Sequence, residues 1–106
     1  MLKLRFNPVA KQDLLDIKDY IANELDNPTS ANKVVSEVIE SYRKLKEFPK
    51  LGPELTSKID VPTDYRYLIS GNHIIFYKIE DVYVSIYRIL DTRQDYIKIL
   101  FGEEKY

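Results

Sequence analysis

The residues of this chain best suited to chemistry are one histidine, a few arginines in apolar surroundings, and a set of tyrosines. His73 is the single histidine. Its ordinary pKa of about 6.5 makes it the one side chain suited to acid–base work near neutrality. It directly follows the turn signal Ser70-Gly71-Asn72, so the simpler role is an exposed histidine at a strand end. Arg88 stands between Tyr87 and Ile89 in an alternating stretch, and period two places it on the face of Ile86 and Leu90. A charge there is costly unless paired or near a rim. An ion pair with a nearby carboxylate is the plain expectation, and a guanidinium facing a macromolecule the functional one. Arg66 poses the same choice. Tyr87 and Tyr96 can stack on a base or press against a protein. Seven of the nine tyrosines lie from Tyr65 onward, a bias that suits a sheet needing half-buried side chains. Asp13 and Asp16 lie three apart without further ligands, which reads as a polar face near a helix start. One histidine and no cysteine cannot make a typical zinc site. The three glycines are too scattered for a phosphate loop. No metal or other cofactor is expected.

These residues need elements to hold them. Leu2, Leu4 and Phe6 alternate with Lys3 and Arg5, which predicts a short strand with one apolar face. Asn7-Pro8 reads as a cap followed by proline in the first helical turn. Ala10, Leu14, Ile17, Ile21 and Leu25 then recur at helical spacing. Asp26-Asn27-Pro28 breaks that helix, and Thr29 or Ser30 can cap the next. Its stripe is Ala31, Val34, Val38, Tyr42 and Leu45, and Pro49 ends it. Gly52, Pro53 and Pro62 keep 50–62 irregular over most of its length. Strands are predicted over Tyr65–Ile69, His73–Ile79 and Val82–Leu90, joined by turns tight enough to force antiparallel neighbours. Ile97, Leu100 and Phe101 suggest a tail that docks as a short helix or an extended segment.

The expected fold class is therefore α+β, in the order β-α-α-β-β-β. An N-terminal helical hairpin packs on one face of a small antiparallel sheet, and a short C-terminal tail follows. The far face and the Arg88–Tyr96 corner are left to meet a partner. At 106 residues the chain makes one domain, residues 1–106. The 16 basic and 17 acidic side chains give no concentrated positive charge for non-specific nucleic-acid binding. The lack of cysteine rules out disulfides and a thiolate nucleophile and fits a reducing cytoplasm. Apolar runs such as Ile74–Tyr77 are too short to span a membrane, and no signal-peptide core opens the chain.

Several stretches resemble the RelE/ParE superfamily of toxins from bacterial type II toxin–antitoxin systems. They are Phe6-Asn7-Pro8-Val9-Ala10-Lys11-Gln12-Asp13-Leu14 at the first strand–helix junction and Leu45-Lys46-Glu47-Phe48-Pro49-Lys50-Leu51-Gly52 at the end of the second helix and the following turn. Tyr65-Arg66-Tyr67-Leu68-Ile69 and Ile74-Ile75-Phe76-Tyr77 match the central hairpin. Arg88-Ile89-Leu90-Asp91-Thr92-Arg93-Gln94-Asp95-Tyr96 matches the C-terminal signature. The resemblance covers nearly the whole chain and is closer to the ParE-like branch, the plasmid stabilisation proteins.

That resemblance implies a cognate antitoxin as partner, with its chain wrapped on the toxin. Inhibition of DNA gyrase by protein–protein binding is the activity implied for the ParE-like branch. The alternatives are a RelE-like ribosome-dependent mRNA endoribonuclease and an inactive antitoxin-binding module. Ile74 stands where ribonuclease members commonly carry an arginine, and Asp91 where the signature often carries histidine. The first departure removes a phosphate clamp and favours the gyrase reading. Arg93 matches the family's conserved arginine. With Arg88, Tyr96 and Tyr87 it is a candidate for binding target or antitoxin. Under the ribonuclease alternative Arg93, Arg66, His73 and Glu54 would be catalytic, with Glu54 at a position that is acidic in some ribonuclease members. Sequence-specific DNA binding is left to the antitoxin.

Overall fold

The computed structural model describes residues 1–102. Strand β1 (Lys3–Phe6) leads into helix α1 (Pro8–Asp19), which runs on through a π-helical turn at Tyr20–Glu24. Helix α2 (Pro28–Arg43) follows and tightens into a 3-10 turn at Lys44–Lys46. After an irregular stretch with a 3-10 turn at Leu55–Ser57 come β2 (Arg66–Ser70), β3 (His73–Glu80) and β4 (Tyr83–Asp91). A short helix, α3 (Tyr96–Phe101), completes the described chain. No helix among the described residues is long and apolar enough to cross a membrane.

Both long helices start on the same device. The Asn7 side chain accepts from the Val9 N–H at 2.9 Å and the Asn27 side chain from the Ser30 N–H at 3.1 Å, each with proline next. Asn27, not Thr29 or Ser30, therefore caps α2. Proline preset at the first helical position leaves the preceding residue extended, where its side chain can reach the orphan N–H groups.

The sheet order is β1-β4-β3-β2. The last three strands form the expected antiparallel hairpins, but β1 joins β4 in parallel, so the sheet is mixed. The reason is edge coverage. Pairing with β3 leaves the other edge of β4 open, and β1 fills it. That coverage ends at Phe6, where Asn7 donates to the Ile86 carbonyl and the chain turns into α1.

The helices cover one face over a core that includes Ala10, Val38, Leu45, Ile75, Tyr77, Val84 and Ile86. The far face differs from the expectation of an open surface. Leu55, Ile74, Phe76 and Leu90 make a second, smaller core there, covered partly by the 3-10 turn and by Tyr96 and Leu100 of α3. The tail is a helix, and it closes that half of the sheet. Toward β1 the far face stays polar and aromatic, with Arg5 over the Tyr83 ring and Lys78 over Tyr65 and Tyr87. Most tyrosines thus pack the sheet or its rim. Tyr106 lies outside the described residues.

A bulge decides the phase of β4. Phe76 pairs with Arg88, but Tyr77 pairs with Ile86, leaving Tyr87 extra. Strict alternation would put Ile86 and Leu90 on one face. Instead Ile86 and Ile89 join the helix-side core and Leu90 joins the far one. A bulge inserts one residue, and one residue inverts the facing of everything after it.

Candidate functional site

The site is built where β4 outruns β1. Past Phe6 the edge of β4 has no strand beside it, and α1 takes that place through Asp13. Its carboxylate accepts from Arg88 Nε at 2.8 Å, Arg88 Nη2 at 2.9 Å and the Ile89 backbone N–H at 2.9 Å. The carboxylate therefore replaces a missing strand carbonyl and pairs the arginine with the same two oxygens. Asp13 holds the Arg88 guanidinium firmly charged by these hydrogen bonds. The Arg88 side chain is 27% exposed and that of Asp13 10%, so the pair is largely desolvated. The expected ion-pair role for Arg88 is the observed one. Asp13 is not an exposed partner of the helix dipole: it lies past the first turn of α1 and points into the sheet edge.

Beside this pair opens a groove of about 720 Å³ between α1, the π-helical turn and the end of β4. A second recess of about 280 Å³ adjoins it and reaches α2 and the β2–β3 turn. Tyr20, Ile21, His73, Asp91 and Arg93 line both. The π-helical turn helps build the wall. Its wider bond, from the Leu25 N–H to the Tyr20 carbonyl at 3.2 Å, leaves Tyr20 54% exposed. Turns of this kind recur at functional positions.

Arg93 sits at the rim with its side chain 83% exposed. Its Nε and Nη2 each donate to the Asp91 carboxylate at 3.0 Å, and its backbone N–H does so at 2.8 Å. These donors hold the Asp91 carboxyl down to about 2. His73, opposite Asp91 in the ladder, is only 9% exposed and is not the exposed strand-end residue expected. Burial pushes its pKa down, Asp91 pulls it up and Arg93 adds to the lowering, so it is held neutral near pH 7.

The remaining candidates lie elsewhere. Arg66 is on the far end of the β2–β3 hairpin, donating to the Gly52 carbonyl at 2.7 Å, with Glu54 at 3.7 Å. Four strand positions separate the His73 and Arg66 ends, roughly 13 Å at about 3.3 Å per residue. Arg66, Glu54, His73 and Arg93 are thus brought together in two pairs and not as one centre. Tyr96 packs its ring on Phe76 at 5.2 Å, serving the second core. Tyr87 donates its hydroxyl to both carboxylate oxygens of Glu80, at 2.8 and 3.0 Å, which lowers the Glu80 pKa. Arg88 and Arg93 therefore face the groove, while Tyr87 and Tyr96 belong to the other side of the sheet.

Sequence reasoning missed Tyr20 as a wall of the groove, and nothing in the pattern announces a π-helical turn. The inward turn of Asp13 was legible. It sits three after Ala10 and four before Ile17, on the apolar stripe and not off it. Among the described residues no group of three or more His, Cys, Asp or Glu is placed to hold a metal ion.

Comparisons with known proteins agree with this architecture. Comparison with curated protein sequences returns no match. A solved structure, the chromosomal ParDE toxin–antitoxin system from P. aeruginosa, matches with a TM-score of 0.73 at 22% identity, covering 86% of this chain and 96% of that one. At that identity the likeness speaks for the fold alone. The model of the family described as the ParE toxin of type II toxin–antitoxin systems, parDE, matches residues 4–96, from within β1 to the first residue of α3. With that span matched, the chain belongs to the ParE toxin family and is the toxin component of a ParDE-like toxin–antitoxin system, with a cognate antitoxin as its partner.

Proposed function

We propose that this toxin acts by binding DNA gyrase and not by cutting RNA. The observation that carries the reading is the division of the candidate ribonuclease residues. Arg66 and Glu54 pair at one end of the hairpin, and His73 and Arg93 lie at the other. Cleavage through a ribose 2′-hydroxyl needs a base, an acid and a cationic clamp around one phosphate. Arg88 is tied to Asp13 and Arg93 to Asp91, and Ile74 is buried in the second core. None of these offers an unpaired guanidinium to a phosphate. What remains is an exposed arginine at a groove and an aromatic–cationic sheet face. Such a surface suits a protein partner.

The groove between α1, the π-helical turn and β4 is the seat we assign to the antitoxin. Its apolar wall of Ile17, Tyr20 and Ile21 suits an amphipathic segment laid along it. The deciding experiment is a gyrase supercoiling assay with purified toxin, run beside ribosome-bound mRNA. Inhibited supercoiling with intact mRNA is the expected result. Cut mRNA with unaffected gyrase would move the assignment to the ribonuclease alternative. A chain that is harmless on expression and inert in both assays, yet binds antitoxin, would leave only the inactive module.

A further inference from the structure

Of the buried residues Asp13, His73 and Ser85, His73 is the one whose side chain makes no hydrogen bond. The other two buried polar residues are satisfied, Asp13 by Arg88 and the Ile89 N–H, and Ser85 by Arg5 Nε at 3.1 Å. Among the described residues, no side-chain nitrogen or oxygen that is shut off from solvent lacks a partner. Both imidazole nitrogens therefore keep some contact with solvent, although the residue is only 9% exposed. The residue lines both the groove and the adjoining recess, together with Tyr20 and Ile21.

We propose that His73 is the polar anchor of the groove, hydrogen-bonding a neutral amide or hydroxyl side chain carried at the apolar centre of the bound antitoxin segment. The inference rests on the groove being the antitoxin seat. A neutral imidazole supplies one donor and one acceptor. Once the segment excludes water, an unmatched group at this point is penalised, which makes the contact a specificity device. The rim supports a basic flank on the same segment. Asp13 and Asp91 are neutralised by Arg88 and Arg93. Asp16 and Glu37, on the α1 and α2 sides, have no cationic partner among the described residues. The uncompensated charge of the groove is thus negative, complementary to a lysine or arginine beside the anchor.

The titratable and charged groups that line the groove and recess with His73 fix the pH dependence. They are Asp91 from β4, Arg93 from the following turn, Tyr20 from the π-helical turn, Asp16 from α1, Glu37 from α2, and the Asp13–Arg88 pair. Binding buries the ring further and occupies the rim carboxylates. Both effects disfavour the imidazolium more in the complex than in the free toxin. Protons then leave on binding, and affinity falls as pH drops below the ordinary histidine range.

The test is titration of purified toxin with the antitoxin chain obtained by co-expression, at pH 7.5 and pH 5. It uses wild type, His73→Gln, His73→Leu and the groove-wall variant Ile21→Glu, each checked by thermal melting. At pH 7.5 His73→Gln binds within about threefold of wild type, and His73→Leu loses about ten- to a hundredfold. Between the two pH values wild type loses more affinity than His73→Gln. If His73→Leu fails to fold, the difference in pH slope between wild type and His73→Gln decides alone. Parallel slopes, with Ile21→Glu abolishing binding, overturn the role of His73 and leave the groove as the seat. Full binding by Ile21→Glu overturns the seat itself, and the anchor with it.

Discussion

Replacing Asp13 with alanine tests the join between α1 and the open edge of β4. The change removes three hydrogen bonds at once, two from Arg88 and one from the Ile89 N–H. Breaking a buried pair by deleting one partner typically costs about 3–5 kcal/mol. Arg88 is 27% exposed and can turn its guanidinium toward water, which lowers that figure. The Ile89 N–H has no such escape, and an unsatisfied buried donor costs about 1–3 kcal/mol. A net loss of about 2–4 kcal/mol follows, or a fall in Tm of roughly 8–16 °C for a domain of this size. The measurement is a double-mutant cycle with Arg88→Ala, read by urea denaturation. Each single change strands a charge, so the double variant should be less destabilised than the sum by about 1.5 kcal/mol or more. Additivity within about 0.5 kcal/mol would refute the reasoning. Arg88 would then be held by something other than Asp13, and the groove wall would not depend on the pair.

Arg93→Ala should leave Tm within about 2 °C, because an exposed pair contributes little, yet weaken antitoxin binding or toxicity; an equal loss of stability and activity would make it structural. Gly52→Ala should destabilise by about 2 kcal/mol or more, since a Cβ there would overlap the Tyr67 carbonyl oxygen and the Tyr77 hydroxyl; that hydroxyl ties the loop by donating to the Pro49 carbonyl at 2.8 Å and accepting the Gly52 N–H at 2.9 Å. Unfolding by urea at a series of pH values should show two acid-side losses. His73 has a folded pKa below its unfolded one, so its contribution is present above about 6.5 and is lost as pH falls through that value toward the folded one. Asp91, lowered from 3.8 to about 2 chiefly by Arg93, contributes above the higher value and loses that contribution as pH falls between the two, a small step because the Arg93 partner is exposed. His73→Gln should erase the first step and Asp91→Asn the second, and a variant that keeps its step would show that another group titrates there.

The amino-acid sequence determined the elements of this protein because their signals are local. Apolar spacing of 3.6 or 2, two Asn-Pro helix starts, a glycine turn and a C-terminal signature mark where the chain bends and which faces are wet. They were enough to place the helical hairpin on one side of the strands and to recognise the toxin family. The covering of the far face by α3 was open in the sequence, since Ile97, Leu100 and Phe101 fit a helix or an extended tail equally well. The site itself belongs to the tertiary structure. The bulge at Tyr87 inverts β4 beyond it, and no residue type announces it. The parallel entry of β1 and its end at Phe6 leave the edge that Asp13 completes. Arg66 and Arg93 looked alike as candidates because spacing along a chain does not say which end of a hairpin a side chain occupies. The partners of Arg88 and the burial of His73 depend on contacts between distant parts of the chain, 75 residues apart in the case of Asp13 and Arg88, and only packing of the whole chain brings such groups together.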